Sequence, residues 1–156
     1  MIGLEGVAHA EQRSETGTGE EFENWHNVDG RWSFYVNLLV IAIGGALGSV
    51  ARYLFSSWVL RVSGTLFPIG TFAVNVVGCA VFGAIAGAAE QRVPLSSDLR
   101  AFLLIGVLGG FTTFSSYAFE SFSLLRDGQF LGAALNIAGQ VVAGLVGLWA
   151  GYVITN

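Results

Sequence analysis

The sequence predicts an all-α integral membrane protein with four transmembrane helices, and three observations carry that prediction. Of 156 residues, 53% are hydrophobic and only 12% are charged, against roughly a quarter charged in soluble domains. The apolar residues fall in four runs, from about Ser33 to Ser57, about Pro68 to Ala89, about Leu99 to Leu125 and about Phe130 to Ile154. Each run is near or above the roughly 20 residues a helix needs to cross a bilayer. The loops between them are short and carry Arg61, then Glu90, Arg92 and Asp98, then Arg126 and Asp127. Trp58, Trp149 and Tyr152 fall near the run ends, where interfacial aromatics belong.

Two parts are expected: a polar tail over residues 1–32 and a four-helix membrane domain over residues 33–156. The tail holds Glu5, Glu11, Glu15, Glu20, Glu21, Glu23 and Asp29, so the formal net charge of −4 describes the tail more than the membrane part. Little in it could form a core, and disorder is expected there. It lacks the basic start and apolar run of a secretory signal. His9 and His26 in this tail read as solvated side chains, whereas Trp25 and Trp32 are candidates for the bilayer interface.

Residue usage excludes several chemistries. All 7 basic residues are arginine, which disposes of Walker-type phosphate loops and Schiff-base catalysis, both of which need lysine. The single Cys79 cannot form an internal disulfide and reads as a small packing residue within its span. No nucleophile–base or metal-ligand constellation lies within the spans, so an enzyme is not expected. Nor is a nucleic-acid partner.

Orientation in the membrane is weakly specified. Arg31, Arg92 and Arg100 flank one side while Arg52, Arg61 and Arg126 flank the other, so the positive-inside rule has little to act on. A chain inserting both ways round would show such a balance. Gly44 and Gly48, Gly83 and Gly87, and Gly147 and Gly151 are each spaced for close helix approach. Four short, glycine-rich helices make a bundle too small to enclose a pore alone, and oligomerisation follows.

The polar residues inside the spans single out the third. From Gly106 to Glu120 it combines glycines, hydroxyls, aromatics and a carboxylate. Glycine pairs loosen a helix, and freed backbone groups then need partners other than lipid. Thr113, Ser116, Tyr117 and Glu120 share a face, with Phe114 and Tyr117 three apart. In the second span Thr71, Asn75 and Cys79 recur every fourth residue. Asn75 reads equally as helix glue contributing about 1 kcal/mol or as part of a site. Hydroxyls, amides and ring edges suit an anion, since O–H and N–H donate and ring edges carry positive partial charge. Glu120 opposes an anion and should lie at the span's wet end or be protonated. Arg52 reads either as a headgroup contact or as a source of positive potential at a vestibule. Asn136 and Gln140, four apart in the fourth span, either extend a polar track or bond another helix.

Three motifs then resemble the Fluc (CrcB-type) fluoride channels. They are Gly44-Gly-Ala-Leu-Gly-Ser-Val-Ala-Arg-Tyr53, Gly70-Thr-Phe-Ala-Val-Asn-Val-Val-Gly78 and Gly109-Gly-Phe-Thr-Thr-Phe-Ser-Ser-Tyr117, in order within a stretch from about Asn37 to the C-terminus. The resemblance implies a third helix broken mid-membrane, an antiparallel dual-topology dimer, and passive fluoride export that lowers toxicity. By the same resemblance Asn75 matches the pore asparagine and Phe114 the first of two pore phenylalanines. The second falls on Tyr117, whose hydroxyl is a departure. Ser115 and Ser116, with Thr113 and Thr71 beside them, match a hydroxyl track; Glu120 matches its carboxylate, and Arg52 the first-span arginine. Gly109 and Thr112 match positions whose backbone carbonyls hold a structural sodium ion at the dimer centre. Gln140 departs from the serine common at its position. A bacterial or archaeal inner membrane is the implied location, with fluoride, lipid and a second copy as partners. Two rival readings differ in kind. A dual-topology cation/proton antiporter would need a mid-membrane carboxylate, and Glu120 lies toward a span end. A non-conducting partner subunit is left open by Tyr117 and Gln140.

Overall fold

The computed structural model describes the backbone of residues 5–65, 67–91 and 95–156, and side chains from residue 34 onward apart from 66 and 91–94. The backbone of residues 5–32 is helical and runs on into the first span, where the sequence reading expects disorder, whereas the roles of His9, His26, Trp25 and Trp32 fall outside the residues with described side chains, as does Arg92. The chain divides into two compact units, Met1–Leu38 and Leu39–Asn156. The second holds every side-chain contact discussed below.

Helices account for nearly all the described backbone. They are α1 (Glu5–Ser63), α2 (Ile69–Gln91), α3 (Ser97–Arg100), α4 (Gly109–Phe111), α5 (Phe114–Arg126) and α6 (Phe130–Thr155), with a π-helical stretch, Ala101–Leu108, between α3 and α4. Four segments are long and apolar enough to cross a membrane: Phe34–Ser63, Ile69–Glu90, Ser97–Arg126 and Phe130–Thr155. These match the four apolar runs, with the first extending further toward its C-terminus. Glycines in the left-handed region mark two of the ends. Gly64 (φ 59°) follows α1, and Gly128 (φ 74°) turns the chain between α5 and α6, a conformation that costs other residues more.

Solvent preference runs opposite to that of a water-soluble domain. Leu39, Ile43, Leu47, Leu131, Leu145 and Ile154 are exposed, while Thr71, Thr113, Ser121, Asn136 and Gln140 are buried. A chain surrounded by hydrocarbon must direct its polar groups at one another, because lipid offers none. That is the pattern seen.

Glycine sets how closely the helices approach. An added Cβ on Gly44 of α1 would lie 2.8 Å from Phe102 O and 3.1 Å from the Gly106 Cα. The α1 backbone therefore rests on the π-helical stretch. On the other side of the bundle, a Cβ on Gly151 of α6 would overlap Ala80 O and come 2.9 Å from Ala84 N, and one on Gly83 would overlap Leu148 O. This approach gives α2 and α6 their long shared seam, and it brings Asn75 and Gln140 within side-chain reach of each other. Gly151→Leu should therefore separate the two helices and cost at least about 2 kcal/mol. Exposed Leu145→Ala should be nearly neutral. Unfolding free energies from denaturing-detergent titration check both, and equal stability of the two variants would refute the packing account.

Candidate functional site

The third membrane segment is not one uninterrupted helix. Thr112 (φ −78°, ψ 157°) closes α4 in extended backbone, and Thr113 (φ −150°, ψ 111°) is extended as well. Thr113 then caps α5: its Oγ1 accepts from Ser116 N at 3.3 Å, as a threonine N-cap should. Extended backbone here turns the Thr113 amide away from the carbonyl of Gly109, its partner in a continuous α-helix.

Asn75 of α2 takes up the exposed groups. Thr113 N donates to Asn75 Oδ1 at 2.9 Å, and Asn75 Nδ2 donates back to Thr113 O at 3.1 Å. One side-chain amide thus satisfies both backbone groups of an extended residue. The second Nδ2 hydrogen goes to Gln140 Oε1 at 2.7 Å. Gln140 Nε2 donates to Asn136 Oδ1 at 2.9 Å, Asn136 Nδ2 to Ser121 Oγ at 2.9 Å, and Ser121 Oγ to Tyr117 O at 2.8 Å. The fourth-span amides therefore bond other helices, Gln140 reaching α2 and Asn136 reaching α5.

Other pairs form around this chain. Thr71 Oγ1 donates to Glu120 Oε1 at 2.6 Å, while Glu120 Oε2 is buried with no partner among the described residues. Thr113 Oγ1 donates to Ser116 Oγ at 3.0 Å and lies 3.3 Å from Ser115 Oγ. The Phe114 ring is 79% exposed and sits 5.4 Å from the Tyr117 ring at an interplanar angle of 52°. The Tyr117 hydroxyl donates to Ile137 O at 3.4 Å, so the departure from phenylalanine is directed at α6 backbone. Arg52 Nη1 donates to Thr112 O at 3.3 Å, which puts the guanidinium beside the interruption.

Two open cavities meet at Thr113. One, of 260 Å³, is lined by Ser49, Arg52, Ser56, Thr71, Thr113 and Ser116, and is rich in hydroxyls. The other, of 410 Å³, is lined by Asn75, Phe82, Gly109, Thr112, Thr113 and Phe114. Thr113 is itself only 8% exposed. Asn75, Thr113, Phe114, Ser116, Arg52, Thr112, Gly109 and Thr71 are thereby gathered around one short extended segment. Tyr117 and Ser115 lie one step along α5, and Glu120 reaches the cluster through Thr71. Sequence reading missed Ser121, whose only signal is its place four residues after Tyr117, the spacing at which a serine bonds back to a helix carbonyl. It also missed the π-helical stretch, for which the run Ala101–Leu108 carries no composition cue.

Removing the Thr71 hydroxyl leaves the Glu120 carboxyl group without the one partner it has among the described residues. Thr71→Val should cost about 1–3 kcal/mol, and Thr71→Ser should restore most of it. Detergent unfolding of the three proteins checks this, and a neutral valine variant would contradict the pairing.

Comparison with known proteins now bears on this arrangement. The family model described as "CrcB-like protein, Camphor Resistance (CrcB)" matches residues 39–152, which takes in every side chain of the cluster. A protein of Geobacter sulfurreducens named "Fluoride-specific ion channel FluC" is 50% identical over 114 residues, covering 73% of this chain and 92% of its own. Proteins of the same name from Nitratidesulfovibrio vulgaris and Rhizobium etli are 47% and 42% identical, covering 73% and 76% of this chain and 92% and 95% of their own. With the four apolar helices, these matches make the chain a multi-pass membrane protein, and its relatives are ion channels rather than enzymes. The chain belongs to the CrcB family, the family of the fluoride-specific ion channels named FluC.

Proposed function

We propose that this protein is a passive channel that lets cytoplasmic fluoride leave the cell and so lowers its toxicity. We propose further that it works in the bacterial or archaeal cell membrane as an antiparallel, dual-topology homodimer. The observation that carries the reading is the cluster at Thr112–Thr113, where a membrane helix gives way to extended backbone between two open cavities.

The chemistry of that segment suits fluoride. Moving a bare charge into a low-dielectric medium costs tens of kcal/mol by Born estimates, so a narrow path must replace the ion's water with donors. Ser115 and Ser116 offer hydroxyls, and Phe114 and Tyr117 offer ring edges. The N-terminus of α5 adds partial positive charge from its leading amides. Arg52 donates to Thr112 O and lines the 260 Å³ cavity together with Ser116, where its full positive charge raises the local potential. Thr71 occupies one oxygen of Glu120, which tempers the one carboxylate near the path. Asn75 belongs to the same wall, at the boundary of the 410 Å³ cavity.

We also propose a structural sodium ion at the carbonyls of Gly109 and Thr112. The Thr113 amide is committed to Asn75 and so does not occupy the Gly109 carbonyl. The Thr112 carbonyl accepts from Arg52 at 3.3 Å and keeps a second lone pair. Carbonyls freed by an interrupted helix coordinate cations in other membrane proteins. When bound, sodium would supply positive charge at Gly109 and Thr112 and hold the interruption open. A second copy of the chain is supported by the exposure of the Phe114 ring, which stands at the edge of the 410 Å³ cavity.

Purified protein in liposomes loaded with fluoride or chloride tests the reading. Wild type should release fluoride and retain chloride. Failure to release fluoride with this chain alone would overturn the homodimeric channel and leave the non-conducting partner subunit. Asn75→Asp sets a carboxylate against Thr113 O and Gln140 Oε1 where an amide had donated to both. The added negative charge repels fluoride and should slow its release by about tenfold or more, since like charges about 4 Å apart repel by about 1 to 4 kcal/mol. Phe114→Ile removes a ring edge and should slow release as well. Wild-type efflux from both folded variants would contradict the pore assignment.

A further inference from the structure

The hydrogen bonds through α2 and α6 run in one direction from end to end. Thr113 N–H starts the chain, and a backbone amide can only donate. Tyr117 O ends it, and a carbonyl can only accept. Between them each group accepts once from one neighbour and donates once to the next: Asn75, Gln140, Asn136 and Ser121 in turn. The two backbone ends therefore fix the orientation of all three side-chain amides. Reversing Gln140 alone would face its Nε2 toward Asn75 Nδ2 and its Oε1 toward Asn136 Oδ1, and both bonds would be lost. Water cannot readily substitute, because Asn136 is 0% and Gln140 7% exposed.

This polarity has a consequence for Asn75. Its two N–H groups are both committed, one to Thr113 O and one to Gln140 Oε1. An ion at this wall finds a donor on Asn75 only by displacing one of these two oxygens. Thr113 O belongs to backbone held on both sides by helix and cap, whereas Gln140 Oε1 is on a side chain with three rotatable bonds. Gln140 is the partner that can yield.

We propose that Gln140 is a specificity-setting positioning residue, which holds the Asn75 amide in place and competes with the permeating anion for its N–H. An anion must outbid an amide oxygen as an acceptor. Fluoride, small and with concentrated charge, does so; chloride, larger and a weaker acceptor, does not. This inference rests on the fluoride-channel reading above and adds to it a residue that acts through another.

The test uses full-length wild type, Gln140→Met and Asn136→Leu in liposomes, with fluoride and chloride release and detergent unfolding measured on each. Wild type is the control for the channel reading itself: if it releases no fluoride, that reading fails before the present one is engaged. With wild type conducting, Gln140→Met frees the Asn75 N–H. The fluoride-to-chloride release ratio should fall about tenfold or more, the worth of one charge-assisted hydrogen bond. Asn136→Leu removes a buried amide one link further along but leaves Gln140 Oε1 to accept from Asn75. It should lower stability while keeping the ratio near wild type. An unchanged ratio in Gln140→Met overturns the proposal, as does an equal loss of ratio in both variants, which would mark a purely structural role. Should Gln140→Met not fold, side-chain amide NMR of the wild type decides. Titration with sodium fluoride should shift the Asn75 and Gln140 side-chain amides together, and sodium chloride should shift neither. Movement of neither amide with fluoride, or equal movement with both salts, overturns the proposal.

Discussion

An extended residue in the middle of a membrane helix exposes an N–H and a C=O that lipid cannot satisfy, each at a cost of several kcal/mol. Thr113 is such a residue, and the paired bonds from the Asn75 amide, at 2.9 and 3.1 Å, take up both groups. Nearly everything else at the candidate site depends on that exchange. It permits the interruption, and the interruption supplies a capped N-terminus for α5 on one side and a Gly109 carbonyl that Thr113 N does not take on the other. Opposite partial charges are thus presented within a few residues of each other. An apolar residue at position 75 would leave the backbone to close into a continuous helix or carry two unpaired groups.

Helix packing makes the exchange geometrically possible. Asparagine is short, so α2 must lie close to the third segment, and Gln140 on α6 must lie close to α2. Glycines 83 and 151 bring the α2 and α6 backbones into direct contact, and glycines 44 and 106 do the same for α1 and the π-helical stretch. The small residues therefore do more than raise packing density: they set the separations at which Asn75, Gln140, Asn136 and Ser121 can bond in sequence. Arg52, carried on α1, reaches Thr112 O across the interface that Gly44 and Gly48 permit.

Much of this was legible in the sequence, because the bilayer imposes a strong rule on composition. Four apolar runs of spanning length could be little else, and the third drew notice by its mix of glycines, hydroxyls and aromatics. Hydrophobic run length carries no information on backbone hydrogen-bond pattern, so the π-helical stretch at Ala101–Leu108 left no trace. Amide direction was also invisible. Asn75, Asn136 and Gln140 stood out as polar residues at membrane depth, yet which of them donates to which depends on two backbone groups, Thr113 N and Tyr117 O, whose availability is a property of the fold. The Tyr117 hydroxyl illustrates the same limit. From sequence it could face an ion; in the fold it donates to Ile137 O.

The link between Asn75 and Gln140 joins the interrupted helix to the rest of the polar chain, and a double-mutant cycle measures it directly. Unfolding free energies of wild type, Asn75→Leu, Gln140→Leu and the double variant give the coupling between the two side chains. Each single change strands polar atoms of its neighbour, and the double change removes that particular mismatch. The account therefore predicts a double variant less destabilised than the sum of the singles by about 1 kcal/mol or more. Strict additivity would mean that the two amides do not act on one another, and would contradict it.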